Sequence, residues 1–185
     1  MCLTRQPMPT HSRYRADTEW IYPMPIQSSS PAIRAHYFFI LWGDRFDEDV
    51  ATIFTTEARR VGLCVKIVGV NGYQSPGNHG MILTADLTLG QAMQLADKAV
   101  AVIVPCSPAT LARLEDDPRV VEFFQQARTN RALLVVSHQE AVARSSLYDL
   151  PHPPSRISYY KDYPNLIDSA RQLVHGLMAA VGVSG

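Results

Sequence analysis

Four strand-length apolar runs, separated by stretches of helical periodicity, restrict this chain to few folds. The runs are Tyr37–Trp42, Leu63–Val68, Ala99–Val104 and Ala132–Val136. Ala99–Val104 is continuously apolar, as a strand covered on both faces must be. Between the first two runs, residues 47–61 place Val50, Ile53, Phe54, Ala58 and Val61 on one helical face, and Gly62 follows as a natural helix stop. Thr88-Leu-Gly-Gln91 fits a capping box that opens a short helix to about Ala96. Asp117-Pro118 is a good start for a helix carrying Val120, Val121, Phe123, Phe124 and Ala127. Leu166, Ala170, Leu173, Val174, Leu177 and Val181 form the stripe of a terminal helix. Asn71–Gly80 and Pro151–Pro154 read as loops, Met81–Thr84 as a short strand, and Pro105–Pro108 as a turn. Ile157–Tyr160 reads as a last edge strand. Strands alternating with helices predict an α/β fold, a doubly wound and mostly parallel sheet of five or six strands.

Residues 1–34 differ from the rest. Pro7, Pro9, Pro23, Pro25, Pro31 and the run Ser28–Ser30 favour an extended or disordered arm. Residues 35–185 are then expected to form a single domain. The arm has no apolar core of a secretory signal, and Arg5, Arg13 and Arg15 leave only a weak organelle-transit reading. Lys and Arg balance Asp and Glu at 17 each, which leaves no electrostatic footprint for nucleic acid or an anionic membrane. No run approaches the roughly 18 apolar residues of a membrane span. Three scattered cysteines, Cys2, Cys64 and Cys106, and dispersed histidines indicate neither a disulfide framework nor a metal site. The expectation is a cytoplasmic protein without metal or cofactor.

The chemistry, if any, concentrates where Ala132–Val136 ends. Ser137-His138 follows directly, and a helix-compatible stretch then runs to about Ser145. A polar residue there sits at the carboxyl end of a sheet, where open α/β proteins bind ligands. A sharp turn with strained backbone would expose Ser137 at a helix N-terminus, as in a nucleophile elbow, although G-x-S-x-G is absent. The plain alternative is that Ser137 is an N-cap. Cys106, in the turn after Ala99–Val104, is expected near the same edge. Its thiol can be acidified by a helix start or can be buried and inert. Glu48 and Asp49 fit a solvated helix N-terminus. Tyr159, Tyr160 and Tyr163 fit packing under the terminal helix.

Five segments together resemble the PfpI / parkinsonism-associated deglycase superfamily of class I glutamine amidotransferase-like, flavodoxin-like folds. Gly43-Asp-Arg-Phe-Asp-Glu-Asp-Val50 resembles its acidic loop after the first strand, and Arg59-Arg60-Val61-Gly62 its helix end. Asp86-Leu-Thr-Leu89 resembles its D-x-x-L segment. Val104-Pro105-Cys106-Ser107 stands in place of a V-P-G-G turn, and Val136-Ser137-His138 in place of an I-C-H-G or I-C-A-G elbow. The match spans about Tyr37 to Leu147.

The resemblance implies that the family's nucleophilic cysteine falls on Ser137 and the following glycine on Gln139. Its glutamate, counted from Phe46, falls on Val50, so Glu48 or Asp49 replaces it only if the loop shifts register. The glycine pair lining the oxyanion hole becomes Cys106-Ser107. A serine hydroxyl needs a general base, which His138 would have to supply. The C-terminal third lacks the family's T-S-R-G-P-like strand. These losses predict a divergent, non-catalytic protein with a binding or assembly role and a degraded elbow at Ser137, His138, Glu48 and Cys106. The alternative is a hydrolase, glyoxalase or deglycase using Ser137 or Cys106 as nucleophile. A flavodoxin-like, nucleotide-holding protein is the weakest reading, for want of a G-x-G-x-x-G or Walker loop. Self-association, as a homodimer, is expected from the net charge of zero and from relatives of the superfamily.

Overall fold

The computed structural model describes residues 36–148, 156–162 and 165–180. The arm expected over residues 1–34 and the loop Pro151–Pro154 lie outside the described residues. Six strands, β1 (Tyr37–Trp42), β2 (Cys64–Gly69), β5 (Leu87–Thr88), β6 (Ala99–Ile103), β7 (Leu133–Val136) and β8 (Ile157–Tyr159), form one sheet in the order β5-β2-β1-β6-β7-β8. Every pairing in it is parallel, with Tyr37 opposite Cys64 and Ile103 opposite Val135. The doubly wound sheet anticipated from the alternation of runs is borne out.

The period of two along β1 explains how one short strand holds both layers together. Phe38, Ile40 and Trp42 face α1 (Glu48–Arg60) and α6 (Leu166–Ala180), where Val50, Phe54, Ala170 and Val174 close the core. Phe39 and Leu41 face the opposite layer of α2 (Leu89–Met93), α3 (Pro108–Leu114), α4 (Pro118–Thr129) and α5 (Gln139–Ala143). There Phe123 meets Phe39 edge to face with centroids 5.4 Å apart. Gly62, at φ 85, ends α1 in the left-handed region that a Cβ disfavours.

Two segments differ from the sequence reading. Within the expected loop Asn71–Gly80, β3 (Gln74–Pro76) pairs antiparallel with β4 (Ile82–Thr84) in a separate hairpin. The expected turn at Pro105–Pro108 ends in a helix, α3, whose N-cap Ser107 accepts a hydrogen bond from the Thr110 amide at 3.2 Å. Ser-Pro at that point acts as cap and first helical residue, as Asp117-Pro118 does one helix later.

Candidate active site

The chain leaves β1 toward β2 on one side and comes back on the other as β6, so the sheet's topological switch point lies between the carboxyl ends of β1 and β6. Ligands of open α/β sheets bind at such a point. Here a strap closes it. The amide of Asp47, the residue that caps α1, donates to the Pro105 carbonyl at 2.6 Å. Next to the strap, the register of β6 and β7 brings the segments after Val104 and Val136 side by side. The Lys161 amide donates to the Ser137 carbonyl at 3.0 Å and lays the end of β8 over the pair.

Ser137 and Cys106 therefore meet around a third residue, Tyr160. The Tyr160 hydroxyl donates to the Cys106 carbonyl at 3.4 Å and faces the Ser137 side chain. The chamber is closed: Ser137 is 0% exposed, Tyr160 2% and Cys106 3%. Ser137 Oγ meets no partner in full hydrogen-bond geometry among the described residues, although the Tyr160 hydroxyl lies close enough for the contact to act on its acidity. Burial holds the Tyr160 phenol well above its ordinary range, with Cys106 and Asp47 adding to the effect and the Ser137 side chain opposing it. Burial likewise pushes the Cys106 thiol up to about 12, helped by Glu115, opposed by Arg113 and again raised by Asp47. The acidified thiol that a helix start would give is thus not present. Apolar surroundings outweigh a short helix's dipole.

The elbow expected at Ser137 differs in two ways. The N-cap of α5 is His138, not Ser137, and it makes no side-chain cap bond. Among the described residues only Arg45 and Arg131 are non-glycines with positive φ, so Ser137 carries no such strain. His138 is half-buried and makes no hydrogen bond to Ser137 Oγ.

Glu48 turns to other work. Its carboxylate, 2% exposed, accepts the His79 amide at 2.7 Å and pairs with His79 Nδ1 at 2.9 Å. Gly77 makes room for it, since a Cβ there would meet Glu48 Oε1 at 2.2 Å. The burial is shallow, beneath a largely exposed imidazole. Burial raises the Glu48 pKa, but the backbone amides at Glu48 and His79 and the His79 ring together bring it below its ordinary value of 4.5. The hydrogen bond and charge of Glu48 lift His79 above 6.5, against a small burial cost and with help from Asp49 and Asp47. The acidic residues whose charges are felt at the chamber are Glu115, at Cys106, and Asp47, at both Cys106 and Tyr160; sequence reasoning passed over both. Tyr160 was read only as packing. The signal for Asp47 was its place at the N-cap of α1; nothing local marked Tyr160.

No protein-family model matches the chain, and no curated protein matches it in sequence. Solved structures do match its shape. A DJ-1 superfamily protein of Salmonella typhimurium, solved as a cysteine-to-alanine mutant, is similar at TM-score 0.60 and 20% identity, covering 78% of this chain and 91% of that one. The oxidized DJ-1 of Toxoplasma gondii is similar at TM-score 0.60 and 12% identity, covering 82% and 100%. Drosophila melanogaster DJ-1beta is similar at TM-score 0.58 and 14% identity, covering 80% and 90%. The fold is the one these DJ-1 structures share. At these identities the likeness carries the fold and no activity. Among the described residues of the chain no three His, Cys, Asp or Glu side chains are grouped to hold a metal ion, and no helix is long and apolar enough to cross a membrane.

Proposed function

We propose that this chain is a divergent member of the DJ-1/ThiJ/PfpI superfamily that works by binding or assembly and not by nucleophilic catalysis. The observation that carries the reading is Ser137 Oγ, sealed at 0% exposure and without a hydrogen-bond partner. A serine nucleophile needs a base within about 2.6–3.2 Å and a path to its substrate, and this hydroxyl has neither. Cys106, held protonated at neutral pH, offers no substitute thiolate. Glu48, engaged by His79, does not serve the chamber. With Ser137, His138, Glu48 and Cys106 so disposed, the degraded elbow is a structural plug between β6, β7 and β8. The proposal places the protein in the cytoplasm and includes association with a second copy of the chain.

The test is chemical. The full chain is treated with a fluorophosphonate and, separately, with iodoacetamide. It is also assayed for ester hydrolysis and for turnover of methylglyoxal. Expected are no label on Ser137, slow labelling of Cys106 relative to the half-buried Cys64, and no turnover above buffer. Turnover abolished by Ser137→Ala or Cys106→Ala would overturn the reading in favour of a hydrolase, glyoxalase or deglycase.

A further inference from the structure

Apart from the closed chamber, a crevice of about 300 Å³ lies open on the molecule. Its walls come from the loops after β1 and β2, with Asp44, Arg45, Val70 and Asn71, and from α3 and the turn after it, with Thr110, Arg113, Leu114 and Asp117. None of these residues belongs to the Ser137 chamber. We infer that this crevice binds a small carboxylate with a hydrogen-bond donor beside the carboxylate, the chemistry of an α-hydroxy or α-amino acid.

Position is the first argument. The walls are the segments that follow β2, β1 and β6, which places the crevice outside the carboxyl ends of those strands, beside the switch point that the strap closes. Its volume is at the lower end of the ~300–1,000 Å³ of small-molecule sites, and so suits a molecule of few heavy atoms.

The charges decide the class. Four charged residues line the space, but Asp117 is already spent on Arg119, with Oδ2 to Nη2 at 2.6 Å and Oδ1 to Nε at 3.0 Å. The side chains of Asp44 and Arg45 have no hydrogen-bond or ion-pair partner among the described residues. Arg113 makes one long bond, to Thr110 Oγ1 at 3.4 Å. One uncommitted guanidinium, one held only by a long bond, and one uncommitted carboxylate therefore line the same space. A carboxylate ligand answers the arginines, and a neighbouring hydroxyl or ammonium answers Asp44. A phosphate dianion matches less well, because Asp44 repels its second charge.

Strain is the independent observation. Arg45 sits at φ 61, in the left-handed region that favours glycine. The other non-glycine there, Arg131, follows α4, where a left-handed residue ends a helix in the usual way. Arg45 ends no helix, and its amide donates to the Pro76 carbonyl at 2.7 Å, which pins the turn. Keeping a strained arginine where glycine would be easier is what a ligand clamp requires.

The experiment is a thermal-shift titration of the full chain with L-lactate, L-serine, acetate and inorganic phosphate, repeated on Arg45→Gly and Arg113→Gln. Expected is a saturable shift with lactate or serine at a Kd of about 1 mM or tighter. Acetate and phosphate should bind about tenfold more weakly or not at all. Arg45→Gly should melt higher than the parent without ligand and lose the ligand shift, while Arg113→Gln should lose the shift alone. No saturable shift with lactate or serine would overturn the site. A shift undiminished in both variants would overturn its location, and phosphate binding as tightly as either acid would overturn its class. All of these readings are independent of labelling or turnover at Ser137.

Discussion

Ser137 and Gly77 show how differently two small residues are held. Ser137 keeps a hydroxyl in a closed, mostly apolar chamber without a partner, and a buried unsatisfied group of that kind costs about 1–3 kcal/mol. Ser137→Ala removes the polar atom and leaves almost the same volume. It is expected to stabilise the chain by about 1 kcal/mol, read as a rise in Tm of about 2–4 °C. A fall in Tm would show that the hydroxyl is bonded and that the chamber is not a plug. Gly77 is the opposite case. A methyl there lands within 2.5 Å of three Glu48 atoms, and Glu48 is pinned by two bonds to His79. Gly77→Ala should cost about 1–3 kcal/mol through overpacking, measured by urea unfolding. Neither effect was legible in the sequence. Ser137 could be placed at the strand end from the apolar run before it, but its burial depends on Tyr160, which arrives from the far edge of the sheet. The partner of Glu48 lies 31 residues on, at a histidine with no pattern around it.

The elements record the same division between local and distant causes. Strands β1, β6 and β7 were readable because a strand covered on both faces has to be apolar throughout, and β2 because Lys66 alone interrupts its apolar run. β3 was not, because Gln74-Ser-Pro76 carries no such pattern and exists only through pairing with β4. That hairpin is fastened to the start of α1 by the Arg45 amide on Pro76, the Asn78 amide on Phe46 and the Glu48–His79 pair. The last of these makes the fastening pH-dependent. His79, raised above 6.5, contributes stability in full below 6.5 and loses it as pH climbs through its folded value. Glu48, lowered below 4.5, contributes in full above 4.5 and loses it as pH falls through its folded value. The stability difference between the parent and Glu48→Gln should therefore be greatest between pH 4.5 and 6.5 and shrink on both sides. His79→Ala should reproduce the alkaline side with a smaller effect, since the backbone bond to Glu48 survives it. Denaturant midpoints taken across pH decide the matter, and a difference flat from pH 4 to 8 would sink the fastening as drawn.

At the scale of the whole molecule, a parallel sheet with helices on both faces was the only economical way to bury alternating strand and helix runs, so the architecture was readable where the site was not. What covers the outside is a further question. Tyr73, Met81 and Ile82 stand 47%, 52% and 66% exposed on and beside the β3–β4 hairpin. With net charge zero, little self-repulsion keeps such a face from a second copy. Residues 1–34, read from the sequence as an arm, carry Trp20, Ile21, Tyr22 and Met24, apolar side chains that water would solvate poorly if they were free. Dimerisation is the expected outcome, and light scattering at tens of micromolar reads it in three chains: the parent, a chain starting at Ala35, and the double variant Met81→Lys, Ile82→Lys. A parent dimer that survives loss of the arm and dissociates in the double variant assigns the contact to the hairpin. A dimer that dissociates only when the arm is removed assigns it to the arm instead. A parent that is monomeric shows that neither surface recruits a second copy, and the exposed hairpin then has to be explained by a partner other than this chain.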